Sequence, residues 1–339
     1  DSHASASSSA GSGEEPVKQH EMRPILLKGH DGPLTCVKYN RDGDLLFTTC
    51  RRGRICAWYA DDGERIGTYN GGSGAAMYVD VSFGSDKLAT ASMDQCARMW
   101  EVETGQVTRT WELGTGVRCV SIATGDKRVA VLCDPWAEEP STIKIFDTSS
   151  NEKAVQTIKM DHGSRVNRAL WGPLNKQILT CTESGGVLSW DPEQGECTHE
   201  RDDHEANVGD ITFSADQMTF ITGSADTTGI LYDTVTVEPI KKYKSDRPIN
   251  SAAISPLMDH VVMGGGQAAD KVTTTGGRQG KFQACFFHKI FENEIGSIKG
   301  HFGPINSVMC NPDGRSFTTG GEDGYVRIHH FDPEYFSLE

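Results

Sequence analysis

Three scarcities bound the function before any motif is read. No apolar run approaches the roughly 20 residues a helix needs to cross a bilayer, so no membrane contact is expected. Basic side chains are few: 33 against 47 acidic ones, a formal net charge of −14. The densest basic runs are the pairs Arg51-Arg52 and Lys241-Lys242. A chain of this charge repels phosphate backbones, and direct sequence-specific nucleic-acid binding is not expected. The third scarcity is cysteine pairing. Ten cysteines are scattered from Cys36 to Cys310, with no Cys-x-x-Cys and no zinc-finger spacing to paired histidines. They read as small buried hydrophobes in a reducing compartment, so a cytoplasmic location is expected. No basic segment leads into an apolar stretch at the N-terminus, and no secretion signal is expected.

What is present divides in two. Residues 1–21 open on a stretch dominated by Ser, Ala and Gly, which cannot bury enough apolar surface to offset its ordering entropy. A flexible tail, native or left from expression, is expected there, with Met22 as a candidate start. Residues 22–339 carry an internal repeat of about 42 residues, the signature of a stacked architecture. Counting 28 positions from the residue before each apolar strand takes His30 to Trp58, Gly72 to Trp100, His162 to Trp190, His204 to Tyr232 and His301 to His329. Six positions before the aromatic stand Asp94, Asp226 and Asp323, with Arg52 and Ser184 in the other two repeats. Two further repeats fit with insertions, from about Val117 to Asp147 and from about Asp246 to Phe287. The total is seven.

Each repeat reads as four short strands joined by turn-formers. In repeat five they fall at 209–213, 218–222, 228–232 and 239–243. Seven such units suit an all-β, seven-bladed propeller of four-stranded antiparallel blades, each covered by its neighbours. Ile25–Leu27 sits where every other repeat has its fourth strand, so an N-terminal strand is expected to close the ring on residues 305–330. The Gly-His, Asp and Trp-Asp landmarks resemble the WD40 family over nearly all of residues 23–332.

Recurring His, Thr and Asp invite a catalytic reading. A nucleophile should be unique, however, and His204, Thr222 and Asp226 recur as His301, Thr319 and Asp323. Both sets are expected to be structural, buried and hydrogen-bonded. Gly264-Gly265-Gly266 lacks a following helix to hold an anion. Gly276–Lys281 is close to a P-loop, but Phe282 stands where Ser or Thr would bind magnesium. Both are expected in a loop between strands of repeat six. No catalytic, cofactor or metal residues are expected, and no cofactor. Trp136, flanked by Asp134, Glu138 and Glu139, is a candidate partner anchor; folding back on the rim is the alternative.

Longer strings carry a narrower resemblance. They include Lys-Tyr-Asn-Arg-Asp-Gly-Asp-Leu-Leu-Phe-Thr (38–48), Arg-Pro-Ile-Asn-Ser-Ala-Ala-Ile-Ser-Pro (247–256), Gly-His-Phe-Gly-Pro-Ile-Asn-Ser-Val (300–308) and Gly-Gly-Glu-Asp-Gly-Tyr-Val-Arg-Ile-His-His-Phe-Asp (320–332). These resemble the subunit i family of eukaryotic translation initiation factor three, most strongly at the two ends. Residues 103–205 drift, Gly71-Gly72 replaces one Gly-His, and Arg52 replaces one turn aspartate. The resemblance implies a non-catalytic scaffold within that factor, holding helical segments of subunits b and g during initiation on the small (40S) ribosomal subunit. Asp216 and Asp233, in two turns on one face of blade five and outside the buried sets, read either as solvated turn aspartates or as an anchor pair for a basic residue of a docked helix. The resemblance, which implies a subunit b segment at the groove between blades five and six, favours the anchor pair. The alternative is a WD40 adaptor of another assembly, such as a signalling or ubiquitin-ligase scaffold.

Overall fold

A computed structural model describes residues 23–150, 153–266 and 282–337. Its strands form seven separate four-stranded antiparallel sheets. Six use four consecutive strands; the seventh takes Ile25–Leu27 beside Val326–His330, with Ile25 opposite Ile328 and Leu27 opposite Val326. The only helical turns among the described residues are the 3-10 segments Pro173–Asn175 and Pro333–Ser337. The expected tail (1–21) and the Gly276–Lys281 segment lie outside the described residues.

In blade five the strands a to d run Val208–Phe213, Thr219–Ser224, Thr228–Asp233 and Pro239–Lys244. Burial follows this order. Second strands such as Ile178–Thr182 are buried at every residue, because neighbouring blades cover both faces. Outer strands such as Cys197–Arg201 are mostly exposed and polar. A charged outer edge discourages pairing with another chain. Turns a–b and c–d open on one face of the ring, here called lower; turn b–c and the link to the next blade open on the upper face.

The innermost strands contact one another all round the channel, from blade seven back to blade one. Each has an open edge, and side chains of the preceding blade satisfy it. Ser307 Oγ accepts from Val37 N (3.1 Å), Asp80 Oδ2 from Ile122 N (2.7 Å), Ser121 Oγ from Trp171 N (3.1 Å) and Ser251 Oγ from Val308 N (3.0 Å). Asn167, Asn250 and Asn306 donate to the carbonyls of Val208, Ile305 and Leu34 on the following blade. Two ion pairs join this girdle: Arg168 to Asp210 (3.0 Å) and Lys38 to Asp80 (3.1 Å).

One expectation is corrected. Gly264 and Gly265 are not in an inter-strand loop; they end the buried strand His260–Gly265. A Cβ on Gly264 would lie 2.4 Å from Val308 and 2.7 Å from Ile305, so glycine here admits the next blade's inner strand. The cysteines other than Cys96 and Cys197 are buried, and none is in a disulfide. Burial pushes the Cys119 thiol up to about 11, which keeps it protonated and unreactive.

Candidate functional site

The repeated His, Thr and Asp residues come together across the b–c turn in blades five and seven. His204 Nδ1 lies 2.9 Å from Asp226 Oδ2, and its Nε2 lies 2.8 Å from Thr222 Oγ1. His301 makes the same pair of contacts with Asp323 (3.0 Å) and Thr319 (2.8 Å). The aspartate also accepts two backbone N–H groups. They come from Glu205 and Thr228 in blade five, and from Phe302 and Tyr325 in blade seven. Burial would raise the Asp226 carboxyl, but the bonds from Thr228, Glu205 and His204 outweigh it and bring it down to about 2. Asp323 is likewise held well below the usual carboxylate range: burial opposes the shift, and His301 together with the N–H groups of Phe302 and Tyr325 outweighs it. Both imidazoles are pushed down, chiefly by burial. A neutral histidine that gives Nδ1–H to a carboxylate and takes a hydroxyl proton at Nε2 satisfies every group. In Trp-bearing blades the indole completes the chain: Trp58 Nε1 donates to Thr48 Oγ1 (2.8 Å), Trp100 to Thr90 (2.9 Å) and Trp190 to Thr180 (3.0 Å).

Replacing Asp323 by Ala should therefore cost stability, about 1–3 kcal/mol, because it strands the His301 and backbone donors. The sign of the pH dependence follows from the depressed carboxyl. Its contribution is present above the ordinary carboxylate pKa and is lost as pH falls toward the folded value. The gap between wild type and variant, read from urea midpoints, should shrink from pH 6 to pH 3. A gap that is constant or grows over that range would contradict this role.

Asp216 and Asp233 both lie on the lower face of blade five. Asp216 is exposed in the a–b turn, where its Oδ1 accepts from Ser214 Oγ (2.6 Å) and Met218 N (3.0 Å). Asp233 ends strand c, and its Oδ1 accepts from Val235 N and Thr236 N, each at 2.9 Å. These bonds lower both carboxyls, the Ser214 hydroxyl leading at Asp216 and the Thr236 N–H at Asp233. Each aspartate is a turn-former through one oxygen, and its Oδ2 has no hydrogen bond among the described residues. Lys289, from the c–d turn of blade six, is near enough to act on Asp216.

Sequence reasoning missed the apolar ground around this pair. Met218, Val235, Leu257, Ile290 and Phe291 are exposed in the lower-face turns of blades five and six, and Leu174 is exposed in blade four. Their signal was large apolar residues in turns, where the polar turn-formers elsewhere need none. Trp136 does not join them. It stands 69% exposed on the upper face of blade three, in a tight turn closed by two reciprocal backbone bonds with Glu139 (3.1 and 3.0 Å). Trp136 is thus not folded back on the rim.

No group of three or more His, Cys, Asp or Glu able to hold a metal occurs among the described residues. No described helix is long and apolar enough to cross a membrane. Seven four-stranded blades, two of them with a complete buried His–Thr–Asp chain at the b–c turn, define the WD40 propeller class. A family model described as EIF3I matches residues 22–339. The eukaryotic translation initiation factor 3 subunit I of Nematostella vectensis is 45% identical over 319 residues, covering 94% of this chain and 99% of its own. The protein of that name from Neurospora crassa is 44% identical, covering 94% of each chain, and that from Homo sapiens 43%, covering 94% and 99%. The chain belongs to the eukaryotic translation initiation factor 3 subunit I family.

Proposed function

We propose that this chain is a non-catalytic scaffold subunit of initiation factor three. In this reading it works in the cytoplasm on the small (40S) ribosomal subunit and holds helical segments of subunits b and g. The subunit b helix lies on the lower face, along the groove between blades five and six. The observation that carries the reading is the pairing of two half-used carboxylates, Asp216 and Asp233, with exposed Met218, Val235, Leu257 and Phe291. An amphipathic helix docks by laying its apolar face in such a groove, with its basic residues steered and anchored by carboxylates at the rim. The net charge of −14 favours a basic segment. Trp136, on the opposite face, is a second partner contact.

The test is titration of the C-terminal peptide of subunit b into wild type and into the Asp216→Lys, Asp233→Lys double variant. A loss of about 2 kcal/mol or more is expected, roughly thirtyfold in Kd, with an unchanged circular dichroism spectrum. Equal affinities would move the dock off this groove.

A further inference from the structure

The link from blade one to blade two carries Asn70-Gly71, and no other asparagine of the chain is followed by glycine. Packing fixes the glycine. A Cβ on Gly71 would lie 2.7 Å from Cη2 of Trp100 in blade two, just as one on Gly29 would lie 2.7 Å from Cη2 of Trp58 in blade one. The backbone here passes too close to the indole for any side chain. The residue before the glycine is under no such constraint: Lys28 precedes Gly29, and Asn70 precedes Gly71. Asn70 and Gly71 are both exposed and lie outside the strands Arg65–Tyr69 and Ala76–Val81. Neither the Asn70 side-chain amide nor Gly71 N has a hydrogen-bond partner among the described residues. Other asparagines differ in one respect or another. Asn250 and Asn306 precede serine, but their amides donate to Ile305 O and Leu34 O, each at 2.9 Å, and so belong to the channel girdle. Asn175 bonds Thr124 through both ends of its amide. Asn293 is exposed like Asn70, but Glu294 follows it, and that side chain crowds the backbone nitrogen.

We propose that Asn70-Gly71 is a modification site at which the chain deamidates without an enzyme and becomes isoaspartyl. The Gly71 nitrogen attacks Cγ of the Asn70 amide. The bond from Cγ to the amide nitrogen breaks, that nitrogen leaves as ammonia with the proton shed by Gly71, and a five-membered imide closes. Water then adds to one of the two imide carbonyls. Breaking the Cγ–N bond restores the ordinary main chain with an aspartate side chain. Breaking the other C–N bond leaves the main chain running through Cγ, with the former Asn70 carbonyl as a free carboxylate. Solvent supplies the only co-reactant. Glycine admits the first step because it places no side chain beside the attacking nitrogen, and the exposed run Gly71-Gly72-Ser73 gives the link freedom to close the ring. Both products add a negative charge, and the isoaspartyl form also adds one carbon to the main chain. That carbon falls in the link which seats Gly71 on Trp100, a side chain 1% exposed and bonded to Thr90 at 2.9 Å. Isoaspartyl conversion therefore lifts Gly71 from the indole and loosens blade two. The carboxylate it creates is the group that an isoaspartyl methyltransferase esterifies.

The full chain is incubated at neutral pH, folded and in urea, and each asparagine is followed by peptide mass spectrometry after digestion in acid, which halts the reaction. Isoaspartate is counted separately, by methyl transfer from S-adenosylmethionine with an isoaspartyl methyltransferase. In the folded protein Asn70 is expected to react at least about tenfold faster than Asn250, Asn293 or Asn306, and within about tenfold of its own rate in urea. Asn70→Gln, whose longer side chain would have to close a six-membered ring, should remove most of the methyl acceptance and keep the melting midpoint of fresh wild type. Aged wild type should melt below fresh protein, and aged Asn70→Gln should not. A rate at Asn70 that folding slows by more than about tenfold overturns the proposal, because the fold then holds the amide or shields the nitrogen. Modification at Asn293 as fast as at Asn70 overturns it as well, as does equal methyl acceptance by wild type and Asn70→Gln. An unchanged midpoint in the aged, isoaspartyl protein would show that Gly71 stays on Trp100 and that blade two is not loosened.

Discussion

Replacing Asp210 by Ala is expected to lower stability by about 3–5 kcal/mol, which no surface aspartate of this chain should match. Asp210 and Arg168 are both buried in the channel wall and meet at 3.0 Å. Asp210 also takes the Ser251 hydroxyl proton at 2.7 Å, and Ser251 in turn accepts from Val308 N. The guanidinium sits 4.8 Å from the centre of the Tyr78 ring, with no second carboxylate bonded to it among the described residues. Truncating Asp210 leaves a buried, uncompensated charge and an unanchored serine in the link from blade four to blade seven. The paired replacement Arg168→Met with Asp210→Leu should recover most of the loss, because apolar groups of similar volume remove the charge with its partner. Denaturant midpoints of the two variants decide it. A loss below about 1 kcal/mol for Asp210→Ala would mean the pair is hydrated and carries little.

The second large effect is at the seam. Leu27 belongs to a three-residue strand, is 2% exposed, and packs with Leu34, Trp58 and Val326. A Cβ on Gly63 would fall 2.3 Å from its methyl group, so the blade-one turn closes tightly over it. Leu27→Ala should cost about 2–5 kcal/mol. Leu26, the next residue, points outward at 42% exposure, and Leu26→Ala should stay within about 0.5 kcal/mol. Similar losses at the two positions would show that the closing strand is not seated as described. Leu27→Asp should go further. It frees the edge of Val326–His330, and an unpaired edge strand templates association, visible as higher-order species by size-exclusion chromatography.

The architecture was legible because it repeats. The 28-residue interval located five blades, two more fitted with insertions, and the chain order of strands in blade five emerged within one or two residues of the observed limits. The closing role of Ile25–Leu27 was legible for the same reason: one strand was missing at one end and present at the other. The channel was not legible. Arg168 and Asp210 are 42 residues apart at positions that carry no landmark, and nothing in a strand's alternation says whether a polar residue faces water or a partner on the next blade. Gly264 and Gly265 misled because three consecutive glycines suggest a loop, whereas close approach of the next blade demands the same residue. The lower-face groove was half legible. Its two aspartates stood at turn positions, but its apolar residues come from separate turns that only the ring brings side by side. In blade one the substitution was visible as Arg52, while its consequence, a buried His30 Nδ1 without a hydrogen-bond partner among the described residues, shows only in the fold.

The two faces of the ring lead to one more result. The turns bearing Asp216 and Asp233 and the turn bearing Trp136 sit at opposite ends of the strands, and a six-residue strand spans about 20 Å. Ligands bound at the two ends as proposed would share no contact, and packed sheets lie between the two faces. Their binding free energies should therefore add, and neither should change the other's affinity. A scaffold that used both ends as proposed would have no obligatory order of assembly. Whichever partner arrived first, the second would meet the same surface, and the concentrations of the partners alone would set which intermediate accumulates.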